Sequence, residues 1–181
     1  ESHTAMYARG VLETGRAVNP GGGSTKLYQI AMYYVTAGSF ELLGMNEFAG
    51  RIPSVIIGTL LIVLVFYVTK KMTDNRSALF AAAMTSFSQI QLAWSTQLRP
   101  YIWLELFTVL VIYFCHLYIQ HRRQFVDRYM LYAFICTCIS YFFHTTSLMN
   151  LVLIAIAVLI KSIYEKKYKF ILLVIPIAGI F

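Results

Sequence analysis

The chain has 181 residues, of which 59% are hydrophobic, 15% aromatic and 13% charged, and its formal net charge is +7. A soluble domain carries roughly 25% charged residues, so this composition excludes a globular fold that covers itself in water. The basic excess does not call for a nucleic-acid partner, because its position along the chain accounts for it.

Three uncharged runs set the class: Ile52–Thr69, Ser77–Leu98 and Tyr129–Ile160. A membrane helix needs ~20 predominantly apolar residues to cross the hydrocarbon core. The expected fold is therefore all-α, a polytopic helical membrane protein. In chain order, Ser2–Glu13 reads as a short helix, and Gly15–Ser24 as a loop whose "NPGGGS" holds no regular element. Lys26–Leu43 reads as a second helix with Gly44 as its C-cap. Leu27–Phe40 within it is uncharged but only ~21 Å long at ~1.5 Å per residue. Its Tyr28, Tyr33 and Tyr34 suit the membrane–water boundary, so it is read as lying in the outer interface. The alternative is a further span, which would move residues 1–26 into the cytoplasm.

Spans are expected at about 52–69, 78–98, 101–120, 128–144, 147–163 and 169–181, following an outer loop of residues 1–51. The last is incomplete: Phe170–Phe181 gives only ~18 Å of helix. The sequence is thus expected to stop inside a span and to be the N-terminal portion of a larger protein. There is no internal repeat. Cys115, Cys136 and Cys138 lie in apolar runs, and Cys136-Thr-Cys138 is not the spacing of a zinc or redox site; they read as packing residues.

The charges give the topology. Lys70, Lys71 and Arg76, then Arg122, Arg123 and Arg128, then Lys161, Lys166, Lys167 and Lys169 follow the ends of apolar runs. Short loops rich in Lys and Arg stay cytoplasmic, which requires an even number of crossings between clusters. Those segments hold ten basic and three acidic residues, whereas the rest of the chain holds five of each. The whole excess of +7 is thus a topology signal. Residues 1–51, Arg99, Glu105 and His144 fall at or near the opposite, outer face.

"ESHTAMYARGVLETG" at the start, "FELLGMNEFAGRIPSVIIG" from Phe40, "QLRPY" from Gln97 and "YFFHTTS" from Tyr141 resemble the outer-face motifs of polyprenyl-phosphate-dependent glycosyltransferases of the GT-C fold. That family includes protein O-mannosyltransferases and aminoarabinose transferases. Glu1, Thr4, Tyr7, Ala8, Arg9, Leu12 and Gly15 match its first outer loop as they stand. The resemblance implies a GT-C-like fold with two interfacial helices in that loop. It also implies transfer of a sugar from a polyprenyl-phosphate carrier to a lipid, glycan or protein acceptor. The expected setting is the extracytoplasmic face of a bacterial or archaeal plasma membrane, rather than the endoplasmic reticulum. Membrane lipids are the surrounding partners.

Within the resemblance an acidic residue before the position of Glu1 is the likelier base, and Glu1 is the catalytic carboxylate this sequence contains. A departing phosphate needs fixed cations, and an acceptor hydroxyl needs a carboxylate. Arg99 offers planar, permanently charged donors to phosphate oxygens, with Tyr101 beside it; the other reading is an arginine snorkelling at a helix end. Lys26 and Arg9 are further phosphate-binding candidates. Glu105, His144 and His3 are supporting residues. Glu105 either orients Arg99 or is a packed, protonated acid, while His144 either joins Glu1 or His3 around a divalent metal, binds phosphate, or is structural. The Glu-Lys-Pro that some aminoarabinose transferases carry is here "STK", so its metal ligand is not carried over and the metal is unknown. Glu47 and Arg51, at i and i+4, read as a structural pair. A transporter or flippase of a lipid-linked substrate and a non-catalytic membrane subunit are the rival readings. The former would carry inverted repeats.

Overall fold

The computed structural model describes residues 1–19, 27–121 and 127–165. Among the described residues it is helical and contains no strand. Lys26 and the expected span at 169–181 lie outside the described residues.

Helix α1 runs Ser2–Thr14 and stops at Gly15, which takes the left-handed conformation (φ 71°) that a residue without Cβ adopts at no steric cost. The chain then turns back across the same helix. A Cβ at Gly10 would lie 2.0 Å from the Val18 carbonyl oxygen. A single 3₁₀ turn, Leu27–Gln29, leads into α2, Ile30–Leu43. Helix α2 packs on α1 through Tyr7, Tyr33, Ala8, Ala37 and Phe40.

Helix α3, Glu47–Met72, is capped by Asn46, whose side-chain oxygen accepts from the Ala49 N–H at 2.8 Å. Pro53 lies inside it and has no N–H to give to the carbonyl four residues back. That freed carbonyl, of Ala49, accepts instead from the buried Ser39 hydroxyl at 2.5 Å. A proline that would weaken an isolated helix thus fastens α3 to α2.

Helix α4, Asn75–Phe87, returns alongside α3 behind an Asp74 cap. The stretch 78–98, expected to be one span, is broken at Ser88. This residue leaves the helix with extended backbone and caps a second helix, α5 (Gln89–Ser95), through its hydroxyl to the Gln91 N–H. A serine competes with the helix for backbone donors and favours caps. Helix α5 crosses α3 closely: a Cβ at Gly58 would lie 2.4 Å from the Ser95 Cβ.

Helix α6, Tyr101–Gln120, is the central element, packed against α3, α7 (Arg128–Tyr141) and α8 (Asn150–Tyr164). Val111, Cys115, Tyr118, Ala133, Leu151, Ile154, Ala157 and Val158 make the main core. Thr108 donates to the Asn150 side-chain oxygen at 3.1 Å, a polar tie between α6 and α8 of the kind that joins helices where no water competes. Between α7 and α8 the chain turns through a 3₁₀ segment, Thr145–Met149.

Glu47–Met72, Tyr101–Gln120 and Thr145–Tyr164 are long and apolar enough to cross a membrane. Their outward faces stay apolar, with Ile56, Val63, Ile112, Ile156 and Ile163 exposed, as lipid contact demands. The chain is an integral membrane protein. The two ends of the bundle differ. At one end, Lys161 sits over the Tyr118 ring and donates to the His121 carbonyl, while His121 meets Asp127. Arg128 follows directly, and Tyr67, one turn from Lys70 and Lys71, faces Tyr113 of α6. At the other end lie Glu1, Arg51, Arg99 and His144.

Candidate functional site

Pro100 follows the short α5 and opens α6, so residues 96–100 form a tight turn at the end of the bundle. Leu98 faces inward with Met32 and Phe143; Trp103 stacks on the Phe143 ring and Phe107 meets that ring at a tilt. This apolar floor fixes the turn, and Arg99 projects outward from it.

Glu1 lies across the turn. One carboxylate oxygen accepts the Leu98 backbone N–H at 3.0 Å and the other faces Arg51 Nη2 at 3.1 Å. Arg51 also reaches Glu47 at 2.6 Å. The pair expected at Glu47 and Arg51 is therefore a chain of three charges whose far member is Glu1. The Leu98 N–H above all holds the Glu1 carboxyl below its ordinary range; burial opposes it, and Arg51 adds to the lowering. Glu1 is accordingly ionised near neutral pH. Each oxygen retains a lone pair for a further donor.

A cleft of about 280 Å³ opens between Glu1, His3, Gln29, Arg99, Tyr101 and His144. A second, of about 370 Å³, adjoins it along Glu1, Arg51, Gln97 and Arg99. Glu1 and Arg99 line both. Arg99 is exposed and makes no ion pair among the described residues, so its charge is available to a ligand.

The walls are ordered by aromatic contacts. Tyr101 lies between Trp94 at 5.3 Å and His144 at 5.4 Å, ring centre to ring centre. His3 rests on Tyr7 at 4.7 Å, and Tyr7 stacks on Tyr33 at 4.7 Å. Burial pushes the Tyr33 hydroxyl up to about 12, so it remains a donor, and it donates to Gln29 Oε1 at 2.9 Å. Across the cleft the His144 Nδ1 accepts the Thr146 backbone N–H at 3.1 Å. The Ala31 N–H donates to the Phe142 carbonyl and brings these two walls together.

Five of the sequence candidates, Glu1, His3, Arg99, Tyr101 and His144, thus share one cleft. Arg9 does not line it. Its guanidinium pairs with Glu13 at 2.5 Å on the exposed face of α1. Lys26 lies outside the described residues. Glu105 does not line the cleft either: in the amide orientation that satisfies both groups, buried Gln91 donates to its two oxygens at 3.1 and 2.6 Å. Sequence reading missed Gln91, Gln29 and the Glu1–Arg51 bond. The Gln91 signal was a polar residue inside an apolar run, facing the acid of the next helix.

Among the described residues no three His, Cys, Asp or Glu side chains converge to hold a metal ion. Glu1, His3 and His144 border the same cleft without forming such a set.

A family model described as dolichyl-phosphate-mannose-protein mannosyltransferase matches residues 29–181. No curated protein and no solved structure matches the chain.

Proposed function

Since the chain belongs to the dolichyl-phosphate-mannose-protein mannosyltransferase family, and is thereby a membrane glycosyltransferase using a polyprenyl-phosphate sugar donor, we propose that the cleft between Glu1 and Arg99 is where the sugar leaves its carrier. The observation that carries this reading is the pairing of a free arginine with a fixed carboxylate on one turn. Leu98 holds Glu1 by its N–H, and the next residue presents an unpaired cation to the same cleft.

In this reading Arg99 binds the donor's phosphate oxygens, with the Tyr101 hydroxyl beside it. A guanidinium suits the role because it is planar, always charged and able to give two parallel hydrogen bonds. The bond between the sugar's anomeric carbon and the phosphate oxygen breaks, and the electron pair leaves with the polyprenyl phosphate. Arg99 stabilises the negative charge that grows there. The acceptor hydroxyl oxygen forms the new bond to the anomeric carbon, and Glu1 takes its proton. Arg51 and the Leu98 N–H keep Glu1 charged and aimed.

The cleft faces the extracytoplasmic side. Supporting this, Lys70, Lys71, Arg128 and Lys161 belong to the opposite end of the bundle, and such clusters stay cytoplasmic. The adjoining α3 and α6 faces expose apolar side chains for a prenyl tail.

The reading is tested with the full-length protein and a labelled polyprenyl-phospho-sugar, comparing wild type with Arg99→Ala. The expected result is a loss of transfer of about a hundredfold or more, the scale of removing one group that stabilises transition-state charge. Equal rates would remove Arg99 from the mechanism.

A further inference from the structure

Two polar side chains of the cleft are fixed in their hydrogen-bonding sense, and neither is needed to explain phosphate binding. Gln29 ends the 3₁₀ turn before α2. Its side-chain oxygen accepts from the Tyr33 hydroxyl at 2.9 Å. The Gln29 amide nitrogen is left with two N–H groups and no partner among the described residues, on a side chain that lines the cleft. His144 caps the 3₁₀ segment before α8. A backbone N–H can only donate, so the Thr146 N–H at Nδ1 requires that nitrogen to carry a lone pair. The neutral imidazole then has its proton on Nε2.

Both side chains therefore offer neutral N–H donors to the cleft. Arg99 borders both clefts, whereas these donors line only the first, which leaves them to the group that the phosphate carries. They match the oxygens of a polyhydroxylated ring, whose lone pairs need partners once water is expelled. The cleft, of about 280 Å³, is far larger than the ~10–15 Å³ that one water needs and has room for a polyhydroxylated group. Resting on the donor reading given above, we infer that Gln29 and His144 recognise oxygens of the transferred sugar, and so favour a glycosylated carrier over the bare carrier phosphate.

The test uses the full chain and two probes, dolichyl-phospho-mannose and sugar-free dolichyl phosphate, in a binding measurement in detergent. The variants leave the framework in place. In the double variant Gln29→Met with Tyr33→Phe, both partners of the hydrogen bond go together, so no buried hydroxyl is stranded. His144→Asn keeps a side-chain oxygen to cap the Thr146 N–H but does not reach as far into the cleft.

The wild type is expected to bind the mannosylated lipid more tightly than the bare phosphate. Each variant should lose about tenfold for the former and nothing for the latter, whereas Arg99→Ala should weaken both. If both lipids weaken alike in the Gln29 and His144 variants, or neither does, the inference is overturned. It is overturned as well if the wild type binds the two lipids equally with Arg99 still required, and the phosphate reading then stands alone. If the wild type binds neither lipid, the donor reading itself falls.

Discussion

The backbone N–H of Leu98 and the carboxylate of Glu1 meet at 3.0 Å across 97 positions of sequence. This one bond ties Glu1, at the head of α1, to the turn that carries Arg99. Replacing Glu1 by Gln keeps an oxygen for the Leu98 N–H and removes the charge that faces Arg51. Glu1→Gln is expected to retain the wild-type melting temperature in detergent within a few degrees and to lose at least about a hundredfold in transfer, the lower range for a positioned proton acceptor. A transfer rate within a few-fold of wild type would show that Glu1 holds the turn and takes no proton.

The same bond fixes a pH dependence. Because the Leu98 N–H and Arg51 hold the Glu1 carboxyl below its ordinary value of 4.5, its stabilising effect is complete above that value. It is lost only as pH falls through the lower folded value. The ratio of wild-type to Glu1→Gln transfer rates is therefore expected to be constant from pH 8 down to pH 5. A ratio that falls with a midpoint inside this range would mean that the carboxyl is not held by these partners.

Gln91 and Glu105 make a second acid–amide contact, this time between α5 and α6. Removing one partner of a buried polar pair costs more than removing both. Gln91→Leu is expected to destabilise the protein by about 1–3 kcal/mol, the cost of leaving such a group unpartnered. Adding Glu105→Leu to it should recover part of that loss. Additive effects of the two substitutions on unfolding in detergent would show that the pair does not form.

The crossing of α3 and α5 has no room to spare. A methyl group at Gly58 would overlap the Ser95 side chain, so Gly58→Ala is expected to cost about 1–3 kcal/mol, in the range of overpacking. Ser95→Gly in the same chain should relieve it. Thermal unfolding of the three proteins checks this, and an unchanged melting temperature in Gly58→Ala would mean the helices stand further apart.

Several features of the fold and cleft follow from residue type alone. Asn46 and Asp74 announce the starts of α3 and α4, and Gly15 the end of α1, because caps need particular side chains or a positive φ. Arg99 beside Pro100 marks an outer turn, since an arginine within so apolar a stretch must reach water. Other features depend on partners far apart in sequence. The i, i+4 spacing of Glu47 and Arg51 is visible, whereas Glu1 as the third member is not, as nothing local links positions 1 and 51. Ser88 sits in an unbroken uncharged run, and whether a serine there caps a helix or faces lipid is decided by the packing of α5 on α3. In sequence, Glu105 and Arg99 stand out as opposite charges close together in an apolar stretch. The donor Glu105 finds is a neutral amide on the preceding helix, which reaches it without bringing a second charge into the membrane. Gln29 gave no sign at all, since its role depends on the Tyr33 hydroxyl that fixes its amide.

The central claim is that Glu1, Arg51 and Arg99 share the compartment opposite the basic loops. It is tested most directly by labelling from the cell exterior with a membrane-impermeant thiol reagent, in chains whose Cys115, Cys136 and Cys138 are replaced by serine. Arg16→Cys lies in the first loop and Thr73→Cys beside Lys70 and Lys71, and both positions are exposed. Modification of the former and protection of the latter until the membrane is permeabilised is the expected result. The reverse pattern would put the cleft in the cytosol and contradict the account.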